Sequence, residues 1–305
     1  MALDRLKGDA GMKTGNLRRV AAIILQIAWL STAGAADLSG SPFDEERAKQ
    51  EKIYQTDEEK MLENYVIDRS LENYAGALAS GFEGTLAALG PNDRWLDVGA
   101  GKGFAILDYY TSNYDYRHPE GREKRGSKAQ SVALSIEDRR TFLWHKTSAM
   151  LATTKMKYLF GKGLQEYALE DLGKYQLISD VIGGFSYSAN LSLFMEKVLE
   201  LLELNGSFFT VLQDVNSQDG GNKPFYPGAS FLTEISKADG SEVKVCSWLK
   251  SISCVEVACE FKTGWRPPIE TFRIRKTCNA VSVPALSPVH FNAGTPPERR
   301  YRVGN

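Results

Sequence analysis

A chain of 305 residues, 43% hydrophobic and 25% charged, is long enough to bury a substantial core as one large or two small domains. Its formal net charge of −1 gives no global argument for a polyanion partner, and the absence of a basic, aromatic-rich stripe disfavours a nucleic-acid one. Taken in chain order, the first element is a leader. Arg18 and Arg19 precede an apolar run from Val20 to Leu30, and the small residues Ala33, Gly34, Ala35 and Ala36 follow. A positive flank, a short apolar stretch and an Ala-x-Ala site are the grammar of a cleaved signal peptide over 1–36, with an uncleaved anchor or amphipathic helix as the alternative. The run falls short of the roughly 20 apolar residues of a bilayer span, so no membrane span is expected in the mature chain. The expected location is periplasmic or secreted if the leader is removed, and cytoplasmic otherwise.

Residues 37–60 are polar and charged, as in an exposed helix or linker. From Met61 to Leu89 apolar residues recur at helical spacing, and Pro91 and Asn92 end that pattern ahead of a strand. "RWLDVGAG" reads as that strand, ending in glycines, and "GFAILDYY" as a buried helix. Residues 111–128, with five Lys/Arg against three Asp/Glu and no periodicity, read as an exposed loop. "SVALSIED" is a second strand, "TFLWHKTSAMLATT" a helix, "KYLFGKGLQEY" a third strand and turn, and "YQLISDVIGGFSY" a fourth strand. "LSLFMEKVLELLELNG" reads as a helix closed by glycine, and "SFFTVLQD" as a fifth strand. Strands alternating with helices predict a mostly parallel sheet covered on both faces. "VEVACEFK" and "ETFRIRKT" alternate apolar and polar residues around "TGWRPP", the pattern of an antiparallel hairpin. The domain is expected over 61–283, with 284–305 as a tail that folds back near the site or runs as coil along the surface.

All four cysteines, Cys246, Cys254, Cys259 and Cys278, lie in the last fifth of the chain. An even number suits disulfides in an oxidising compartment, and four buried thiols are the alternative. Without a Cys-x-x-Cys pair and with three histidines, no metal site is expected. Cys259 and Cys278 lie on the two hairpin arms and are the expected pair, which leaves Cys254 to join Cys246 or stay free.

In an open α/β sheet, ligands bind beyond the carboxyl ends of the strands, and Gly99, Gly101 and Gly103 stand at the first such end. A phosphate-binding loop needs Gly-Lys followed by Ser or Thr, but Lys102 is followed by Gly103. A dinucleotide turn needs glycine where Phe104 stands. "LDVGAGKGF" resembles the first motif of the class I S-adenosylmethionine-dependent methyltransferases, and the resemblance extends over roughly 90–280. It implies a Rossmann-like, doubly wound, mostly parallel seven-stranded sheet with a C-terminal antiparallel hairpin, and S-adenosyl-L-methionine as cofactor.

By that resemblance the turn Gly99, Ala100, Gly101 and Gly103 wraps the methionine part of the cofactor, with Asp97 near its amino group. Glu137, at the end of the second strand, takes the place of the acid that binds both ribose hydroxyls, and Asp138 is the fallback; a carboxylate suits a vicinal diol. Asp180 ends strand four and is expected to face cofactor and acceptor. After strand three the family often carries an acid for the adenine amino group. This chain has Lys162, which cannot accept a hydrogen bond, so adenine contact passes to the backbone of Gly163 and Leu164. The bland alternative is that Asp97 and Asp180 cap helices and the glycines only permit tight packing.

Methyl transfer from a sulfonium is an in-line displacement, so the protein mainly aligns donor and acceptor and excludes water. The sequence therefore reveals the donor site better than the acceptor site. His145, His290 and Tyr187 are candidate bases with nothing to choose between them. The acceptor is expected to be a small molecule or a protein. An exported, non-catalytic binding module on the same fold is the alternative.

Overall fold

A computed structural model describes residues 69–111, 128–151, 155–188, 190–213, 232–264, 268–292 and 298–304. The leader, the polar stretch 37–60, residues 61–68 of the helical pattern and most of the basic stretch (112–127) lie outside the described residues. So does the side chain of His290.

The main sheet has seven strands in the order β3-β2-β1-β4-β5-β9-β8. They are β1 (Arg94–Val98), β2 (Gln130–Leu134), β3 (Met156–Leu159), β4 (Tyr175–Val181), β5 (Leu202–Gln213), β8 (Val255–Lys262) and β9 (Ile269–Lys276). The first five are parallel, and β9 runs antiparallel to both β5 and β8. The doubly wound sheet with a C-terminal hairpin is the architecture expected from the sequence. Strands buried on both faces must be apolar almost throughout, as "RWLDV" and "YQLISDV" are. One face carries Leu96, Val98, Ile178 and Phe208 against α6 (Gly184–Tyr187) and α7 (Leu191–Leu201). The other carries Trp95, Leu177 and Phe209 against α1 (Leu71–Ala77), α2 (Phe82–Ala87) and α3 (Phe104–Thr111). Trp144, from α4 (Phe142–Met150), joins this second face, and α5 (Leu169–Leu172) joins the first. Among the described residues no helix is long and apolar enough to cross a membrane.

Four readings of the sequence are corrected. The helical pattern up to Leu89 is two short helices. Leu78 turns extended at the end of α1, and Gly81, at φ 94°, starts α2. The helix from Leu191 ends at Leu201 rather than at Gly206, because Leu202 is already extended and paired with Tyr175. Lys276 and Lys174 then close α7: Lys276 donates to the Leu199 and Leu202 carbonyls and Lys174 to that of Glu200. Cations at the end of a helix complement its dipole.

The tail is strand rather than coil. β10 (Leu286–Asn292) and β11 (Glu298–Val303) join β6 (Leu232–Ser236) and β7 (Glu242–Val243) in a second, mixed sheet of order β10-β11-β6-β7. Its Leu286, Tyr301 and Ile235 pack into the first-face core, so it extends that core rather than building another.

The disulfides are Cys246–Cys259 and Cys254–Cys278, not Cys259–Cys278. Register is the reason. Cys259 lies opposite Phe272 in mid-ladder, whereas Cys278 lies beyond Lys276, the last β9 residue in the ladder. Thr277 donates to the Cys254 carbonyl, which brings Cys278 beside Cys254. Cys259 is left to meet Cys246 on α8 (Val245–Lys250).

Candidate functional site

β1 sits between β2 and β4, the point where the strand order reverses and where an open α/β sheet leaves a crevice. Gly99, Gly101 and Gly103, at φ 73°, 53° and 72°, carry the chain away from β1. Two of them are needed for approach as well as for dihedral. A Cβ on Gly99 would lie 2.7 Å from the Gly183 Cα, so the turn after β1 and the turn after β4 touch backbone to backbone. A Cβ on Gly103 would lie 2.5 Å from the Trp144 ring. Gly99 and Ala100 both donate to the Leu134 carbonyl at the end of β2. The fold is Rossmann-like: a doubly wound, mostly parallel seven-stranded sheet with a C-terminal antiparallel hairpin.

One register row crosses the sheet through this point: Tyr158, Ala133, Asp97, Ser179, Phe209 and Arg273. Paired residues on neighbouring strands present their side chains to the same face, here the face covered by α1 and α2. Asp97 is fully buried there. Its Oδ1 accepts from the Ser179 hydroxyl at 2.8 Å and its Oδ2 from the Tyr74 hydroxyl of α1 at 3.0 Å. Ser179 in turn accepts from the Trp95 indole N–H at 2.8 Å. Among the described residues no cation pairs with Asp97, and the like charge of Asp180 acts on it. Burial without a counterion raises its pKa to about 7, against the pull of its two hydrogen bonds.

Asp180, also fully buried, is held differently. Its two oxygens accept the backbone N–H groups of Gly183 (2.7 Å) and Phe185 (2.8 Å), so it caps the turn into α6. Between Asp180 and Gly183, Ile182 stands at φ 54°, a conformation that costs a β-branched residue of order 1–3 kcal/mol and that recurs at functional sites.

β2 ends at Leu134, three residues before Glu137, and Glu137 occupies the loop beyond it. That loop keeps to β3 through Ser135 donating to Leu159 and Gly161 donating to Ile136. Glu137 is half-buried, while Asp138 is exposed and committed to Arg140 at 2.6 Å. Gly163 donates its N–H to the Glu166 carboxylate, and the Leu164 side chain is buried in the core. Tyr187 is half-buried on α6 and His145 exposed on α4, and the structure adds no chemical role for either. Among the described residues no cluster of His, Cys, Asp and Glu is placed to hold a metal ion.

Two residues that the sequence reading passed over hold the site together. The Tyr158 hydroxyl donates to the Gly101 carbonyl at 2.6 Å, lies 3.2 Å from the Glu137 carbonyl and accepts the Arg139 N–H. It ties the glycine turn to the loop after β2. Tyr74 reaches Asp97 from a helix 23 residues earlier. Both are aromatic residues in apolar patterns, so nothing local distinguishes them from core.

No protein-family model and no curated protein sequence matches the chain. Among solved structures it is similar to a candidate class I S-adenosylmethionine-dependent methyltransferase from Listeria monocytogenes (TM-score 0.44, 14% identity, covering 81% of this chain and 72% of that one). It is also similar to an N-methyltransferase from Bradyrhizobium japonicum (0.37, 10%, 78% and 98%) and to a precorrin-6y C5,15-methyltransferase from Geobacter metallireducens (0.36, 12%, 64% and 87%). The architecture rests on the strand order and register of this chain, not on these likenesses.

Proposed function

We propose that this protein binds S-adenosyl-L-methionine at the end of β1 and transfers its methyl group to a small-molecule or protein acceptor. The observation that carries this reading is Asp97. Among the described residues this buried carboxylate has two neutral donors and no positive partner, and the cofactor's α-ammonium group is one. The glycine turn admits a ligand close to the main chain. Glu137 suits the ribose diol, since Asp138 is spent on Arg140. The exposed side chains of Ile136 and Phe160 offer apolar surface beside that loop for the adenine ring. The cofactor supplies the activated methyl group. The chain's own part is to bind it, to align the acceptor and to exclude water, with Asp180 and the strained Ile182 shaping the turn that faces both.

The two disulfides support a place for the protein in an oxidising compartment, in keeping with the leader-like N-terminus. Isothermal titration of the full chain with S-adenosylmethionine tests the function. One-to-one binding is expected, and Gly101→Asp is expected to abolish it with the thermal melt retained. No binding by the folded wild type rejects the reading. N-terminal sequencing of protein from its native host is expected to find a start near Ala36 or Asp37, and an intact leader with free thiols rejects the compartment.

A further inference from the structure

α1 is tied down at both ends. At its start Ser70 and Asn73 form a reciprocal cap and Leu71 donates its N–H to Asp108 of α3 at 2.9 Å. At its end Lys262 of β8 donates to the carbonyls of Gly76 (2.8 Å) and Leu78 (2.5 Å), and Glu260 accepts from the N–H and hydroxyl of Ser80. The disulfide-stapled hairpin therefore holds the helix, and the helix delivers one polar group to the sheet beneath it, the Tyr74 hydroxyl on Asp97. Tyr74 is 3% exposed, with its ring 6.3 Å from that of Phe82. Packing alone would be met by phenylalanine.

We propose that Tyr74 is a positioning residue of the donor site. Its hydroxyl holds one oxygen of Asp97 and favours the ionised carboxylate, the form that binds an ammonium group. The docking of α1 onto the hairpin is thereby coupled to donor binding. The proposal rests on the donor-site reading above.

The groups facing Asp97 set the sign of the effect. Tyr74 from α1 and Ser179 from β4 donate to it and favour its charge, while the carboxylate of Asp180 opposes it. Burial and the Asp97 charge push the Tyr74 phenol well above its ordinary value, against the pull of Arg69, so Tyr74 remains a donor throughout the neutral range. Asp97 titrates at about 7 with Tyr74 in place, and removal of that hydrogen bond moves the titration upward. The ammonium of an amino-acid ligand stays protonated below about pH 7.5. Between about pH 5.5 and 7.5 donor affinity therefore follows Asp97 alone.

The test is titration of the full chain with S-adenosylhomocysteine across that range. Wild-type affinity is expected to weaken up to tenfold per pH unit below about 7, the limit for loss of one charge. Tyr74→Phe, which keeps the ring packing and is titrated well below its own melting temperature, is expected to displace this acid limb to higher pH, with affinity three- to tenfold weaker near pH 6.5 and closer to wild type near pH 7.5. Lys262→Met, which frees the carbonyls at the end of α1, is expected to move the limb the same way by less. Asp97→Asn is expected to bind weakly and without an acid limb. Folded Tyr74→Phe and Lys262→Met proteins with the wild-type limb overturn the coupling and leave the donor site standing. Failure of the wild type to bind overturns the donor-site reading and the proposal with it.

Discussion

Asp97 and Asp180 stand on adjacent strands one register step apart, and both are fully buried. In sequence they look alike: an acid near a strand end, followed within three residues by glycine. The structure gives them opposite economies. Asp180 accepts two backbone N–H groups from its own turn, an arrangement that favours its charge and stabilises the turn. Asp97 has two neutral hydroxyls and, among the described residues, no cation, and burial raises its pKa. A satisfied carboxylate is part of the scaffold. An unsatisfied one, next to a glycine turn, is what the proposed donor site rests on.

The comparison is broken most directly at Asp180. Asp180→Ala leaves the Gly183 and Phe185 N–H groups without their acceptor beside the strained Ile182. A loss of about 3 kcal/mol or more is expected in urea denaturation, since each hydrogen bond to a charged group is worth about 1.5–3 kcal/mol. A loss below about 1 kcal/mol, within the ordinary range for a point mutation, removes the scaffold role.

Gly183→Ala probes the contact between the two turns. Its Cβ would lie 2.7 Å from the Val98 carbonyl and 2.8 Å from Asp180 Oδ1, so one turn must shift. Destabilisation of about 1–3 kcal/mol is expected from overpacking, together with loss of S-adenosylmethionine binding in the folded fraction.

Asp97 is expected to respond with the opposite sign. A carboxylate whose folded pKa lies above its unfolded value contributes stability below the unfolded pKa and loses it as pH rises through the folded one. Wild-type stability should therefore fall between about pH 4 and 7, with a slope of up to about 1.4 kcal/mol per pH unit from this group. Asp97→Asn should remove that component and raise the ligand-free melt at pH 8, by an amount corresponding to about 1–3 kcal/mol. A variant that melts lower at pH 8 means that the charge is paid for by a partner, and the contrast with Asp180 disappears.

The smallest expected effect is at Tyr158. Tyr158→Phe releases the Gly101 carbonyl, costs about 1 kcal/mol in stability and weakens donor binding by loosening the turn. Unchanged binding at equal stability would separate that clamp from the site.

Much of this was legible in the chain. The alternation of apolar runs and helical periods determined a doubly wound sheet, because strands buried on both faces cannot be polar. "LDVGAGKGF" placed the tight turn after β1, because only glycine takes three left-handed dihedrals in five residues at small cost. The two arms of the hairpin were readable from period-two alternation. Their register was not, and with it went the cysteine pairing, since a pattern of period two does not say which residues face each other. The second sheet was hidden for a related reason: β6 and β11 are parallel partners more than 60 residues apart, joined by no local turn. The hydrogen-bond partners of Asp97 and Asp180 lay furthest from the sequence. Whether a buried carboxylate is capped or left without a counterion depends on which groups the fold brings to within about 3 Å of it, and for Asp97 those groups come from a helix and a neighbouring strand distant in the chain.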